Sequence, residues 1–552
     1  MRIEFDVPAR MRDGVTLRAD VYRPTARGPW PTLLVRTPYG KHIAAETVWN
    51  GLDPVQAARR GFIVVVQDAR GRFASEGEWS PFRYEREDGY DSVKWAAALP
   101  GSNGRVGMYG GSYCGNTQWL TAIAKPPSLA AISPLMTWSE PMDGLFARGG
   151  ALELGLALPW ALLQGFDYLG RVCGHTVDLE RRVAALIDEW DRLDQRGYWE
   201  LPVGELAALT RHEVPELGSV AARGDAEISK RCRVEGYSPI EIPTFHTAGW
   251  YDIFLQGTLD NFAATSSQGG DARLVVGPWS HDRFVDPIGE QVFGMVSARD
   301  GIPVHPHGDW NDYQLAWFRS HLTTESEVKL PEALVRLFVM GRNEWSDEAS
   351  WPPRDVRAET WFLRTDGRLT LATPSAGEGY SRFTYDPADP APTVGGHTMM
   401  WSGFPAGPMD QRAVEKRRDV LVFTSEPLEL DVEVCGRIRI SLNAQSSAPS
   451  TDWVARLCDV HPDGRSVNLC DGILRVSDGA DQLRTHEIDL WSTTNVFLYG
   501  HRIRVAVTSS SFPRWDRNLN TGDQGRGEYI IAEQHVYHDA SCPSGITLPV
   551  RT

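Results

Sequence analysis

The run Gly110-Gly111-Ser112-Tyr113-Cys114-Gly115 lies between an apolar stretch, Val106-Gly107-Met108-Tyr109, and a helix-like one over residues 116–124. A strand that turns into a helix within so few residues belongs in a layered α/β sheet. Small neighbours let the backbone take a strained turn, and such a turn lifts a serine hydroxyl clear of the sheet. The helix that follows points its N-terminal N–H groups toward that hydroxyl and favours negative charge there. Ser112 is therefore a candidate nucleophile.

The rest of the chain divides into three zones. Up to about residue 139, short apolar runs alternate with helix-like segments. Residues 14–22, 32–36, 62–66 and 129–132 read as strands, and 87–99 as a helix. This order argues for a parallel α/β sheet. From about 140 to 238 the period is helical, over 145–169, 179–193 and 201–209, without convincing strands. Strand-like sequence resumes at 242–248 and 273–276. The expected layout is an α/β domain of residues 1–139 and 239–345, interrupted by a helical block at 140–238. The third zone, 346–552, holds many short strands with Gly, Pro and Asp turns, as in a sandwich or jelly roll. Its strands are expected at 361–363, 420–423, 428–434, 437–442, 454–460, 502–507, 529–531 and 535–537.

Composition bounds the partners. At 552 residues the chain exceeds what one hydrophobic core usually supports. A net charge of −16 argues against nucleic acid or an anionic membrane. No apolar run approaches a membrane span and no secretory pattern opens the chain. Seven scattered cysteines fit a reducing cytoplasm. A homo-oligomer is compatible with all of this.

A serine nucleophile at neutral pH needs a base, and the base needs an orienting acid. In an open α/β sheet these stand just past later strand ends, in the order Ser…Asp…His. The strand ending at Ala248 runs into Gly249-Trp250-Tyr251-Asp252, and the strand 274–276 into Gly277-Pro278-Trp279-Ser280-His281. Asp252 and His281 thus complete a candidate triad with Ser112. An imidazole with pKa about 6.5 accepts the serine proton and returns it to the leaving group, while a carboxylate fixes its tautomer. His246 lies within a strand and reads as a core histidine. Asp68, ahead of Ala69-Arg70-Gly71-Arg72, reads as part of an Asp–Arg structural network. His305 and His307 flank Pro306 with no carboxylate or cysteine cluster in register, so neither metal nor cofactor is expected.

These motifs resemble the cocaine esterase and X-Pro dipeptidyl-peptidase family of α/β-hydrolases. The resemblance extends to Arg36-Thr37-Pro38-Tyr39-Gly40-Lys41, to residues 67–77, to Tyr385-Asp386-Pro387-Ala388-Asp389-Pro390 and to Ser509-Ser510-Ser511-Phe512-Pro513. It implies an α/β-hydrolase core, an inserted helical cap, a C-terminal β jelly-roll domain, and Ser112, Asp252 and His281 as the triad. It also implies an oxyanion hole from the backbone N–H of Tyr113 and the hydroxyl of Tyr39.

Family members cleave esters, α-amino acid esters, acyl amides or X-Pro peptides. Aminoester members carry glutamate after the Ser-Tyr pair, where this chain has Cys114, which favours an ester or amide without a free amino group. A carboxylic ester hydrolase is the leading expectation. The alternatives are an X-Pro dipeptidyl-peptidase, an α-amino acid ester hydrolase, an amide acylase, an acyltransferase, or a silent binding protein. Trp138, Phe146, Trp160, Phe166 and Trp250 are candidates for the walls of the substrate pocket, with Leu156 as a further cap residue.

Overall fold

A computed structural model describes residues 1–43, 51–174, 176–213, 230–234, 240–267, 269–299, 308–324, 330–401, 403–522 and 527–552. The histidines at 305 and 307 lie outside the described residues. In the first half the strands are β1 (Arg2–Arg10), β2 (Thr16–Arg23), β3 (Trp30–Thr37), β4 (Ile63–Asp68), β5 (Ser102–Gly111) and β6 (Leu129–Leu135). A short hairpin of β7 (Ala147–Arg148) and β8 (Ala151–Leu152) follows. Then come β9 (Thr244–Tyr251), β10 (Ala272–Ser280), β11 (Val335–Val339) and β12 (Glu344–Glu348).

Apart from the hairpin, these strands form one ten-stranded sheet in the order β1-β2-β4-β3-β5-β6-β9-β10-β11-β12. The pairs from β4 to β11 are parallel and the two edges antiparallel. Residues 63–66 alternate between two hydrophobic clusters: Val64 and Val66 face one side, Ile63 and Val65 the other. The longer helices of this half are α1 (Pro54–Arg59), α2 (Glu85–Ala97), α3 (Tyr113–Ala124), α4 (Leu154–Cys173), α5 (Val177–Asp191), α6 (Leu255–Ser267) and α7 (Trp310–Leu322), with a five-residue helix at Ala207–Arg211. Trp310, Trp317 and Phe318 of α7 cover one face with α1; Val93 of α2 and Trp119 of α3 cover the other.

One feature of the order positions chemistry. β3 lies between β4 and β5, so the chain leaves β3 to one side for β4 and crosses to the other side for β5. The crevice beyond the C-terminal ends of β3 and β5 is the point where winding reverses, the usual ligand site of open α/β sheets. Tyr39 follows β3 and Ser112 follows β5.

Between β6 and β9 the described residues include α4 and α5, packed together around Leu158, Leu162, Leu169 and Leu186. The helix expected from residue 145 begins instead at Leu154. Gly149 and Gly150, with φ of +52° and +86°, turn the β7–β8 hairpin ahead of it. Glu153 and this hairpin fasten the insertion to the second half of the chain. Leu152 N–H donates to Asp516 at 2.7 Å, Trp515 Nε1 to Glu153 at 2.8 Å, and Arg148 lies 3.7 Å over the Trp491 ring.

The second half is β-rich. A seven-stranded sheet and a four-stranded sheet share one hydrophobic cluster. Ile438, Leu442 and Ile488 come from the larger sheet, Trp453, Leu457 and Val505 from the smaller, so the two pack face to face. Two strand expectations shift. Residues 529–531 are exposed and outside any ladder, the strand being Ala532–Tyr537. Leu428 precedes the long strand Val432–Ser446 rather than belonging to it. Among the described residues no helix is long and apolar enough to cross a membrane.

Candidate active site

Ser112 occupies the turn between β5 and α3 with φ +54° and ψ −122°. A non-glycine residue held there stores on the order of 1–3 kcal/mol of backbone strain. The surroundings fix it: Ser112 N–H donates to the carbonyls of Leu135 (2.9 Å) and Met136 (3.1 Å). Its own carbonyl accepts from Asn116 N–H (3.0 Å) and the Thr137 hydroxyl (2.9 Å). Gly115 is needed for this approach, since a Cβ there would stand 2.8 Å from Thr137 Cβ.

Asp252 is the first residue past β9 and His281 the first past β10, and both are fully buried. Asp252 Oδ2 meets His281 Nδ1 at 2.5 Å, while its Oδ1 accepts from Phe254 N–H at 2.8 Å. The carboxylate is thus committed to the turn and to the ring. A carboxylate on Nδ1 sets the tautomer that leaves Nε2 as the base and stabilises imidazolium when it forms. The Phe254 ring stands edge-on to the imidazole, with centroids 5.1 Å apart, and also lines the cavity that contains Ser112.

Tyr39 stands two residues past β3 and faces the same cavity. Its phenol oxygen accepts from Trp160 Nε1 at 3.1 Å, so the indole orients a hydroxyl whose own proton is directed elsewhere. The loop that carries Tyr39 is tied down twice. Asp68, at the end of β4, accepts from the N–H groups of Lys41 (2.7 Å) and Ala74 (3.2 Å). The buried Arg72 donates to Pro38 O (2.8 Å) and also to Gln164 Oε1 of α4 (2.8 Å). Asp68 therefore serves backbone N–H groups rather than the expected Asp–Arg network; the arginines 36 and 70 pair instead with Glu85 and Asp88. Burial pushes the Asp68 carboxyl up to about 6.

Tyr113 opens α3, where backbone N–H groups have no helical acceptor. Its side chain turns away from the serine. The phenol donates to Glu85 Oε1 at 2.8 Å and accepts from Phe82 N–H at 3.0 Å, and its ring stacks on Phe82 at 4.5 Å. Burial holds this phenol well above its ordinary pKa, so it stays neutral. Tyr113 nevertheless lines the cavity that contains Ser112.

The cavity wall is aromatic and aliphatic. Phe82, Trp138 and Phe254 come from the loops at the sheet edge, and Leu145, Phe146, Leu156, Ala157 and Trp160 from the stretch running into α4. Met399 reaches in from the β-rich half. Among the described residues no charged side chain lines it.

The X-Pro dipeptidyl-peptidase (S15) family pattern matches residues 13–283, and the pattern of the X-Pro dipeptidyl-peptidase C-terminal non-catalytic domain matches 329–547. The chain is 36% identical to the cocaine esterase of Rhodococcus sp. (strain MB1 Bresler), over 99% of this chain and 98% of that one. It belongs to the cocaine esterase and X-Pro dipeptidyl-peptidase family of serine hydrolases. Two solved structures of this family's fold are each 25% identical and superpose along the whole chain. An α-amino acid ester hydrolase gives a TM-score of 0.81, and an aminopeptidase from a marine-sediment Thaumarchaeota archaeon gives 0.80, each with 96% of its own length covered. The C-terminal pattern begins at 329, ahead of β11 and β12, which hydrogen bonding places in the first sheet.

Within this family fold, the structure brings Ser112, Tyr39, Tyr113, Trp138, Phe146 and Trp160 to one cavity. Phe166 and Trp250 are not among its walls. Phe166 packs into the α4–α5 core, about 120° around the helix from Trp160. Trp250 is buried behind the sheet edge, donating to Phe338 O at 2.7 Å and packing against Trp351. Phe82, Leu145, Ala157, Phe254 and Met399 escaped sequence reasoning. They come from separate loops and halves of the chain, with no local pattern that unites them. His246 is a core histidine, flanked by Trp119 and Phe262, and burial lowers its pKa to about 3.

Proposed function

We propose that the protein hydrolyses carboxylic esters through an acyl-enzyme formed on Ser112. His281 takes the Ser112 proton as Oγ bonds to the ester carbonyl carbon. It then gives that proton to the departing alcohol as the C–O bond breaks. Water repeats the sequence on the acyl-enzyme and releases the acid. Asp252 holds His281 in the required tautomer throughout. Tyr39 O–H and Tyr113 N–H receive the negative charge on the carbonyl oxygen.

The observation that carries the ester reading is the cavity wall. Its described side chains are apolar or aromatic around Ser112, with the Tyr39 hydroxyl as the polar handle and no carboxylate to receive a substrate ammonium. Cys114, buried beside the serine, adds no charge at the position where aminoester members carry glutamate. The cocaine esterase likeness supports the same substrate class, whereas the names of the two solved relatives point to amino-bearing substrates.

A substrate panel on the purified chain separates these readings. Aryl and short acyl esters are expected to exceed matched α-amino esters and X-Pro anilides in kcat/KM by at least about tenfold, a difference of about 1.4 kcal/mol. A preference for the α-amino esters or the anilides would overturn the ester reading while leaving the triad in place.

A further inference from the structure

Away from this cavity, three metal-ligating side chains meet at one end of the four-stranded sheet. The strand Thr451–Val460 runs antiparallel to Arg502–Thr508, with Asp459 opposite Ile503 and Val460 opposite Arg502. Carrying that register one residue further sets His461 opposite His501. Side chains alternate along a strand and cross-strand partners share a face, so Asp459, His461 and His501 project to the same side.

Their contacts agree with this register. The two imidazole centroids are 4.6 Å apart with planes 37° from each other. His501 Nδ1 lies 2.8 Å from Asp459 Oδ1, and one ligand atom from each of the three residues lies within 4.8 Å of the other two. The backbone on both sides is fixed. His461 N–H donates to Arg465 O and its carbonyl accepts from Gly464 N–H, each at 2.9 Å; Leu428 N–H donates to His501 O at 2.8 Å. None of the three residues lines the Ser112 cavity.

We propose that Asp459, His461 and His501 bind one divalent cation of the zinc class. Two imidazoles and one carboxylate match the ligand preference of Zn²⁺ and its first-row neighbours, whereas Ca²⁺ and Mg²⁺ require more oxygen ligands. Ligands about 2.0–2.1 Å from a tetrahedral zinc stand roughly 3.3 Å apart. The three atoms, within 4.8 Å of one another, would draw in to that spacing around the ion, with water in the fourth position. The Arg465 guanidinium reaches the site: Nη2 lies 3.5 Å from His461 Nδ1. Its guanidinium is half exposed and already paired with Asp463 at 2.8 Å, so it swings aside without stranding a charge. A bound cation would clamp the ends of two strands whose ladder stops there.

The test uses the full chain freed of metal by a chelator and titrated with ZnCl₂ by calorimetry, with Co²⁺ absorption as the geometric probe. The wild type is expected to take up one equivalent at this site and to give the visible bands of a tetrahedral Co²⁺ site. His461→Ala or His501→Ala should weaken that uptake at least tenfold and abolish the bands, whereas Arg465→Ala should retain or strengthen both. Asp459→Asn, which keeps the side-chain shape, serves if a histidine variant fails to fold and should also weaken uptake at least tenfold. Absence of saturable uptake by the wild type, or uptake unchanged in a folded ligand variant, would overturn the proposal.

Discussion

Tyr39→Phe isolates the role assigned to the phenol hydroxyl. The change keeps the ring against Tyr113, whose centroid is 6.4 Å away, and removes one oxygen. Losing one oxyanion donor typically costs about 10²–10³ in kcat, or about 2.7–4 kcal/mol. Folding should suffer less. The hydrogen bond from Trp160 Nε1 (3.1 Å) loses its acceptor, a cost of about 1–3 kcal/mol against a total stability of about 5–15 kcal/mol. The variant therefore stays folded and loses turnover. Because the hydroxyl grips the oxygen only as charge develops on it, KM should move by no more than a few-fold. Steady-state kinetics on an aryl ester, with a thermal melt of the same preparation, reads all three quantities. A kcat within threefold of wild type, or a loss confined to KM, would remove Tyr39 from the oxyanion hole.

Three further outcomes follow from the same geometry. Asp252→Asn replaces the carboxylate held 2.5 Å from His281 Nδ1 and should lower kcat by about 10⁴ through the wrong tautomer, with KM little changed; activity above a tenth of wild type would contradict the triad. Arg72→Met strands Pro38 O and the Gln164 side chain, so stability should fall by about 2–4 kcal/mol and kcat with it as the Tyr39 loop loosens; an unchanged melt and turnover would show that the bridge is dispensable. Asp68 titrates near 6 in the folded chain against about 3.9 unfolded, so the proton favours the folded state. Its contribution is fully present below about pH 4 and is lost as pH rises through about 6. Wild-type stability relative to Asp68→Asn should therefore decline by about 2 kcal/mol between pH 4 and 7, and a pH-independent difference in denaturant melts would refute this.

Strand ends were the legible part of this chain. Ser112, Asp252 and His281 each stand one residue beyond a strand, and the apolar runs that predict those strands also predict where polar residues emerge. Period-based reasoning works there because a buried parallel strand tolerates little but apolar sequence. It fails where burial depends on which face of an element meets which partner. Phe166 and Trp160 share α4, yet only the second faces the cavity; Trp160 lies on the side marked by the polar stripe Gln164, Asp167 and Arg171, a signal that apolar periodicity alone passes over. Trp250, two residues before Asp252, points into a core built from Trp351 and Phe338, which come from a different part of the chain. Residues 529–531 have strand composition without a partner strand. The Asp459–His461–His501 group was equally hidden, since only the antiparallel register unites a D-x-H pair with a distant histidine.

The nucleophile is the centre of the account. Ser112 is held at φ +54° in its turn, and Phe254 both lines its cavity and stands edge-on to the imidazole of the buried His281–Asp252 pair. Incubation with an aryl phosphonate, followed by intact-mass measurement and peptide mapping, reads it directly. The predicted result is one adduct per chain, on the peptide containing Ser112, and none on Ser112→Ala. An adduct mapped to another residue, or stoichiometric labelling of the alanine variant, would contradict the account.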